Sequence, residues 1–265
     1  MTPRPFNSAS YVSILSEARG LGYNIRPMQD AFTPIQGTVL LLRHDVDLSL
    51  EHALEMAELE FEHGVRSTYF ILPHNEFYSP FSLEGRAALN RLIHLGHEIG
   101  LHWDSSVYPV EGQAFRNAVR RDLDALAEIT GSAIRSASQH VPIDTRFVDL
   151  SDLIEIESYS PQVRAKFSYV SDSAMAWRSH TPWSLLSERK NMQFLAHPIW
   201  WMGPGDTREE KLRNLAGREA KRSTARIEEL LAYMNKCLLD RDRLDSRLVE
   251  QWNASPPDTA ETPIR

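Results

Sequence analysis

Cysteine is almost missing: Cys237 is the single one in 265 residues. That excludes a disulfide framework and a cysteine-based zinc site. Long apolar runs are missing too. No stretch approaches the roughly 20 residues of a membrane span, and the N-terminus MTPRPFNSASYVSILSEARG lacks the apolar segment of a signal peptide. A cytoplasmic location without membrane insertion is the expectation. There is no excess of positive charge. Lys and Arg number 29 against 36 Asp and Glu, for a net charge of -7, which speaks against a nucleic-acid partner. No repeat of solenoid period occurs, and nothing specifies an oligomeric state.

What is present is a large apolar fraction, 42%, enough for one sizeable core; a single α/β barrel takes about 250 residues. Strand-like runs alternate with amphipathic helical patterns. Strands are expected over 37–42, 65–72, 97–101, 134–138, 167–170 and 192–196, and helices from Ser8 or Ser10 to Arg19 and over 48–63, 83–95 and 113–129. This rhythm predicts a parallel sheet. The stretch 150–166 does not fit it. Thr207 to Glu210 reads as a capping box opening a long helix, with Leu212, Leu215, Leu230, Leu231 and Met234 on its apolar face.

The informative feature lies at the C-terminal ends of the apolar runs. RHDVD ends the first, HWDSS comes after HEIGL, SQH after the weak fourth, SDS after FSYV, and HP after MQFLA. In a parallel sheet or barrel the C-terminal strand ends gather at one mouth, where sites form. Five ends then deliver Asp45, Asp47, His102, His140, Asp172 and His197 to one cleft. Asp45 and Asp47 alternate along an extended chain and share a face. Two carboxylates together need a cation, which is either a metal ion or Arg43. Carboxylate and imidazole ligands suit a first-row divalent metal, zinc among others; without it the same residues form a salt-bridge cluster. His44 faces away and reads as structural, as does His97.

RHDVD, GHEIGLHWDSS and FLAHPIWW together resemble the NodB-like polysaccharide deacetylases, in the divergent branch whose first motif reads His-Asp-Val-Asp. The resemblance runs from about Gly37 to Trp201. It implies a distorted, incomplete (β/α) barrel and a metal-dependent hydrolase that removes acyl groups, N-acetyl first among them, from a sugar or glycan-biosynthesis intermediate. It makes Asp45 the catalytic base, His197 the general acid, and Asp47 and His102 metal ligands. Where the family has a second histidine this chain has Ser106, and the family's third-motif arginine is missing around Ser138-Gln139-His140-Val141-Pro142. His140 is the expected third ligand, with Asp104 or water as alternatives. The rival readings are an amidohydrolase for a small non-sugar amide and a non-catalytic carbohydrate-binding protein.

Three residues are expected to face substrate. Asp172 orients the base or binds sugar hydroxyls, unless it only forms a turn. Trp200 and Trp201 read as strand neighbours on opposite sides, one in the core and one, taken as Trp200, against a sugar ring. Tyr78, with His74 and Asn75, lies in the loop after the second strand. The expected organisation is an N-terminal helical extension over 1–36, the barrel over 37–205, a helical segment packed on it over 206–252, and a disordered tail over 253–265.

Overall fold

The structure is a computed structural model and describes residues 4–109, 112–141 and 147–254. It divides into two compact units, Met1–Leu212 and Arg213–Arg265. The first holds eight strands, β1 (Asn24–Arg26), β2 (Val39–Val46), β3 (Thr68–Ile71), β4 (Glu98–Trp103), β5 (Ser136–Gln139), β6 (Ile156–Glu157), β7 (Ser168–Ser171) and β8 (Met192–Ala196). Around them lie α1 (Ser8–Gly20), α2 (Leu50–Glu62), α3 (Leu83–His94), α4 (Gly112–Thr130), α5 (Pro161–Lys166), α6 (Pro182–Ser187), α7 (Pro198–Met202) and the start of α8 (Arg208–Ala254).

The strands run in the order β6-β5-β4-β3-β2-β8-β7, with β1 paired to the first half of β2, and every pairing is parallel. The two ends of this path, β6 and β7, share no ladder. Side chains join them instead. The rings of Tyr159 and Tyr169 lie 5.9 Å apart; beside them Gln193 on β8, with its amide nitrogen turned toward the Ser158 carbonyl, bridges that carbonyl and the Arg43 guanidinium on β2 at 3.1 Å each. The sheet is therefore a distorted, incomplete (β/α) barrel.

The period-two alternation of strands sorts two cores. Tyr69, Ile71, Leu101, Trp103 and Ala137 face the helices and pack with Ala53, Leu89 and Leu126. Leu41 and Phe70 face the barrel interior with Met28, Ile156 and Phe167. Interior space is tight at Gly100, where an added Cβ would stand 2.4 Å from the Phe70 ring. Every residue of β2 is buried, as expected of a strand covered on both faces.

Several sequence expectations shift. β2 runs four residues past Leu42, so Arg43, His44 and Asp45 belong to the strand. The unassigned stretch holds β6 and α5. Trp200 and Trp201 sit on the short helix α7, not on a strand, and both are buried. The capping box is present: the Thr207 hydroxyl accepts from Glu210 N at 3.2 Å, and the Glu210 carboxylate accepts from Thr207 N at 3.0 Å. In the second unit α8 continues to Ala254, and Ile227, Leu230, Leu231, Met234 and Leu238 are half or more exposed. Of the expected tail, 255–265 lie outside the described residues. No described helix is long and apolar enough to cross a membrane.

Candidate metal centre and active site

Asp47 comes just after the end of β2, His102 lies on β4, and His140 comes just after β5, whose ladder it extends by donating its N–H to the Trp103 carbonyl at 2.7 Å. The His102 Nδ1 is 2.9 Å from the Ser138 carbonyl. A carbonyl only accepts, so Nδ1 carries the proton and Nε2 keeps a free lone pair. That Nε2 is 3.2 Å from Asp47 Oδ1 and 3.1 Å from His140 Nδ1, which is 3.5 Å from the same oxygen. Asp47 Oδ1 is buried, yet it receives no hydrogen bond. One carboxylate oxygen and two imidazole nitrogens thus converge within 4.8 Å of one another. This donor set, with its orphaned acceptor, fits a divalent cation such as zinc. Burial alone would raise the Asp47 pKa, but the imidazoles around it outweigh this and hold its carboxyl well below the usual range. Asp47 itself raises the pKa of His140.

Backbone geometry fixes this cluster. Val141, directly after His140, has φ 45, a left-handed conformation that costs a β-branched residue about 1–3 kcal/mol. Asn75 donates to the Asp47 carbonyl at 2.7 Å. Ser106 and Asp104 are elsewhere: the Asp104 carboxylate accepts from Ser106 N at 2.8 Å in an exposed turn.

Beside the cluster stand two further groups. Asp45 Oδ2 accepts from Arg43 at 2.7 Å and from Ser138 Oγ at 3.4 Å, while its buried Oδ1 has no partner. Arg43 is fully buried; burial would strip its proton, but Asp45 outweighs this and its pKa is raised. Across the mouth, His197 precedes α7 in an extended conformation, φ -98 and ψ 119. Its Nδ1 is 2.5 Å from Asp172 Oδ1, and its Nε2 faces Asp47 Oδ2 at 3.6 Å. Burial works against its charge, yet Asp172 prevails and moves the imidazole up to about 9.

Asp45, Asp47, His102, His140 and His197 together form the floor of a cavity of about 620 Å³. The three residues expected at substrate do not line it. Asp172 is fully buried, its oxygens taken by His197 and by the Trp201 indole N–H at 2.6 Å. Trp200 borders a small hollow beside Asp45 and His197. The Tyr78 hydroxyl donates to the Val46 carbonyl at 2.7 Å and accepts from Leu72 N at 3.0 Å, tying two strand ends together. The walls are instead Gln139, Tyr159, Tyr169, Ser173, Arg178 and His180. Sequence reasoning misses them because they adjoin very short strands or lie in loops without periodicity.

No protein-family profile matches the chain, and no curated protein sequence matches it. Similar solved structures exist. One is a CE4 family pseudoenzyme from Bacillus anthracis, 13% identical, with a TM-score of 0.43 over 71% of this chain and 62% of that one. A family 4 carbohydrate esterase from the same organism is 14% identical, with a TM-score of 0.42 over 83% of this chain and 91% of the other. The chitin deacetylase of the fungus Colletotrichum lindemuthianum is 15% identical, with a TM-score of 0.41 over 73% of this chain and 87% of its own. This chain thus spans less than two thirds of the length of the pseudoenzyme it resembles.

Proposed function

We propose that this chain is a metal-dependent hydrolase, of the kind its RHDVD and FLAHPIWW motifs resemble, that removes an N-acyl group, acetyl first among them, from an amino sugar or glycan intermediate. The observation that carries the reading is the pairing of a buried carboxylate and a protonated imidazole around one donor set. Asp45 offers a buried oxygen without a partner, and His197 is held protonated by Asp172. A base and an acid in one cleft are what hydrolysis of an amide requires.

Asp47, His102 and His140 hold the ion, zinc by the chemistry of the set. When bound, such an ion polarises a carbonyl and lowers the pKa of water from about 15.7 to about 7. Asp45 Oδ1 takes the proton of the attacking water, whose oxygen forms the new bond to the acyl carbon. Arg43 keeps that carboxylate oriented. His197 Nε2 gives its proton to the departing nitrogen as the C–N bond breaks, and Asp172 stabilises the imidazolium until then. Positioned acid and base groups each contribute about 10² to 10⁴ in rate.

The test is metal analysis of the purified chain, then a screen of N-acetylated amino sugars and oligosaccharides for acetate release. Stoichiometric zinc and acetate release, both lost in His102→Ala, are expected. A metal-loaded chain that cleaves only non-sugar amides, or nothing, would overturn the reading.

A further inference from the structure

Among the described residues the wall of the cavity carries charge of one sign. Its acidic residues, Asp45 and Asp47, are both on the floor, one beside Arg43 and the other within the metal donor set. Among the described residues the cationic groups on the lining are His197, which is paired with Asp172, and Arg178, with His180 two residues on. Arg178 is exposed, and among the described residues it makes no ion pair or hydrogen bond. In a chain with 36 acidic against 29 basic residues, an arginine at the mouth of a cleft that pairs with no carboxylate among the described residues is open to an anionic ligand.

The backbone around it is fixed. After β7 the chain buries Asp172 and passes through two successive left-handed residues, Ala174 at φ 56 and Met175 at φ 57. Such strain at non-glycine residues persists only where the surroundings enforce it. They do so here: Arg208 donates to the Ala174 carbonyl at 3.3 Å. Trp177 stacks on Phe6 at 5.1 Å and contacts Phe194 and Trp201 at 6.1 Å each. Thr181 then caps α6. Arg178 is therefore flanked by an aromatic anchor and a helix cap. The fixed backbone reduces the entropy lost on binding and leaves the Arg178 side-chain rotamers to be ordered by the ligand.

Resting on the reading of this cavity as the active site, we infer that its substrate carries an anionic group, a phosphate or a carboxylate, that Arg178 receives. A guanidinium presents planar, paired donors that match both oxyanions. A neutral N-acyl sugar leaves that charge unanswered. Tyr169, 43% exposed and against Tyr159, supplies an aromatic wall of the same cavity for a sugar ring. The volume of about 620 Å³ is within the range for ligands well beyond a small amide.

The experiment is calorimetric titration of the metal-loaded full chain with N-acetylglucosamine, N-acetylglucosamine 1-phosphate and N-acetylmuramic acid. At least one anionic probe is expected to bind roughly tenfold or more tighter than the neutral sugar. Arg178→Gln should remove that margin and leave the affinity for the neutral sugar unchanged; Arg178→Lys should keep part of it. A phosphate margin points to a sugar phosphate, a carboxylate margin to an acidic sugar. Equal affinities, absent binding included, overturn the inference. So does a margin that survives in Arg178→Gln, since the anion then sits elsewhere. Acetate release separates this from the proposed activity. An Arg178-dependent margin without deacetylation keeps the anion site and removes the deacylase. Deacetylation of all three at one kcat/KM, with no margin, does the reverse.

Discussion

Arg43 and Asp45 stand two residues apart on β2, point into the same interior, and meet at 2.7 Å, with side chains 0% and 4% exposed. A strand offers this pairing without a second element, because residues i and i+2 share a face. The guanidinium also touches the Tyr159 hydroxyl at 3.0 Å and lies over the Phe70 ring at 5.2 Å. Arg43→Met is expected to leave the buried Asp45 carboxylate uncompensated. A loss of about 3–5 kcal/mol in stability should result, with the base disabled as well. Thermal unfolding together with kcat/KM checks this. Arg43→Lys, which keeps the charge but not the fork, should recover stability better than activity; full activity in Arg43→Met would show that Asp45 needs no cation.

The three converging donors should behave as one unit. Asp47→Ala, His102→Ala and His140→Ala are each expected to lower bound metal by more than tenfold, read by metal analysis after dialysis against a weak chelator. Ser106→Ala should leave occupancy untouched, because Ser106 lies in an exposed turn held by Asp104. Full occupancy in His140→Ala would hand the third position to water.

Periodicity decides which of these residues are legible in the sequence. RHDVD is readable because alternation on a strand puts Asp45 with Asp47 and turns His44 outward, and His44 indeed pairs with Glu60 on the helix side at 2.8 Å. The strand-end rule brings in His102, His140, Asp172 and His197 from four other elements. It fails for the tryptophans after His197. The bias of a residue before proline to extended backbone gives His197 correctly, but the same proline sits at the first position of α7 and opens a helix. Five residues are too few for a helical period to register. Glu60 is invisible for the opposite reason, since a carboxylate on an amphipathic helix reads as solvent-facing until the groups across from it are known.

Asp172 sets the proton affinity of His197. With its Nδ1 against Oδ1 at 2.5 Å, the imidazole is held up to about 9. In the metal-free chain, a histidine NMR titration should place His197 well above its ordinary 6.5, and Asp172→Asn should bring it back toward that value. If His197 acts as the acid, the rate falls as pH rises through its pKa, so the alkaline limb of kcat/KM should move to lower pH in Asp172→Asn. His197→Ala should abolish that limb and slow unactivated amides by about 10² or more. An unchanged limb in both variants would leave the imidazole a structural group.

Glu60 links the strands to α2 without touching the cleft. Its buried carboxylate accepts from Tyr11, from Ser67 at 2.6 Å and from Tyr69 at 2.9 Å, and pairs with His44 at 2.8 Å. Burial would raise its pKa, yet His44, His97 and Ser67 outweigh that and bring it from 4.5 to about 2. A carboxyl depressed on folding binds its proton more readily in the unfolded chain, so its stabilisation is complete above about 4.5 and disappears as pH falls toward 2. His97 acts in the same direction: burial lowers its pKa from 6.5, so the unfolded state takes up this proton first as well. Unfolding free energy should therefore decline between about pH 6 and pH 2, with about 3 kcal/mol of the loss due to Glu60. Glu60→Gln should remove that part of the slope and lower stability at pH 7 by a similar amount. Urea denaturation from pH 7 down to about pH 2.5 measures both, and an acid slope identical to that of the wild type would show that the carboxylate is not held in its charged form.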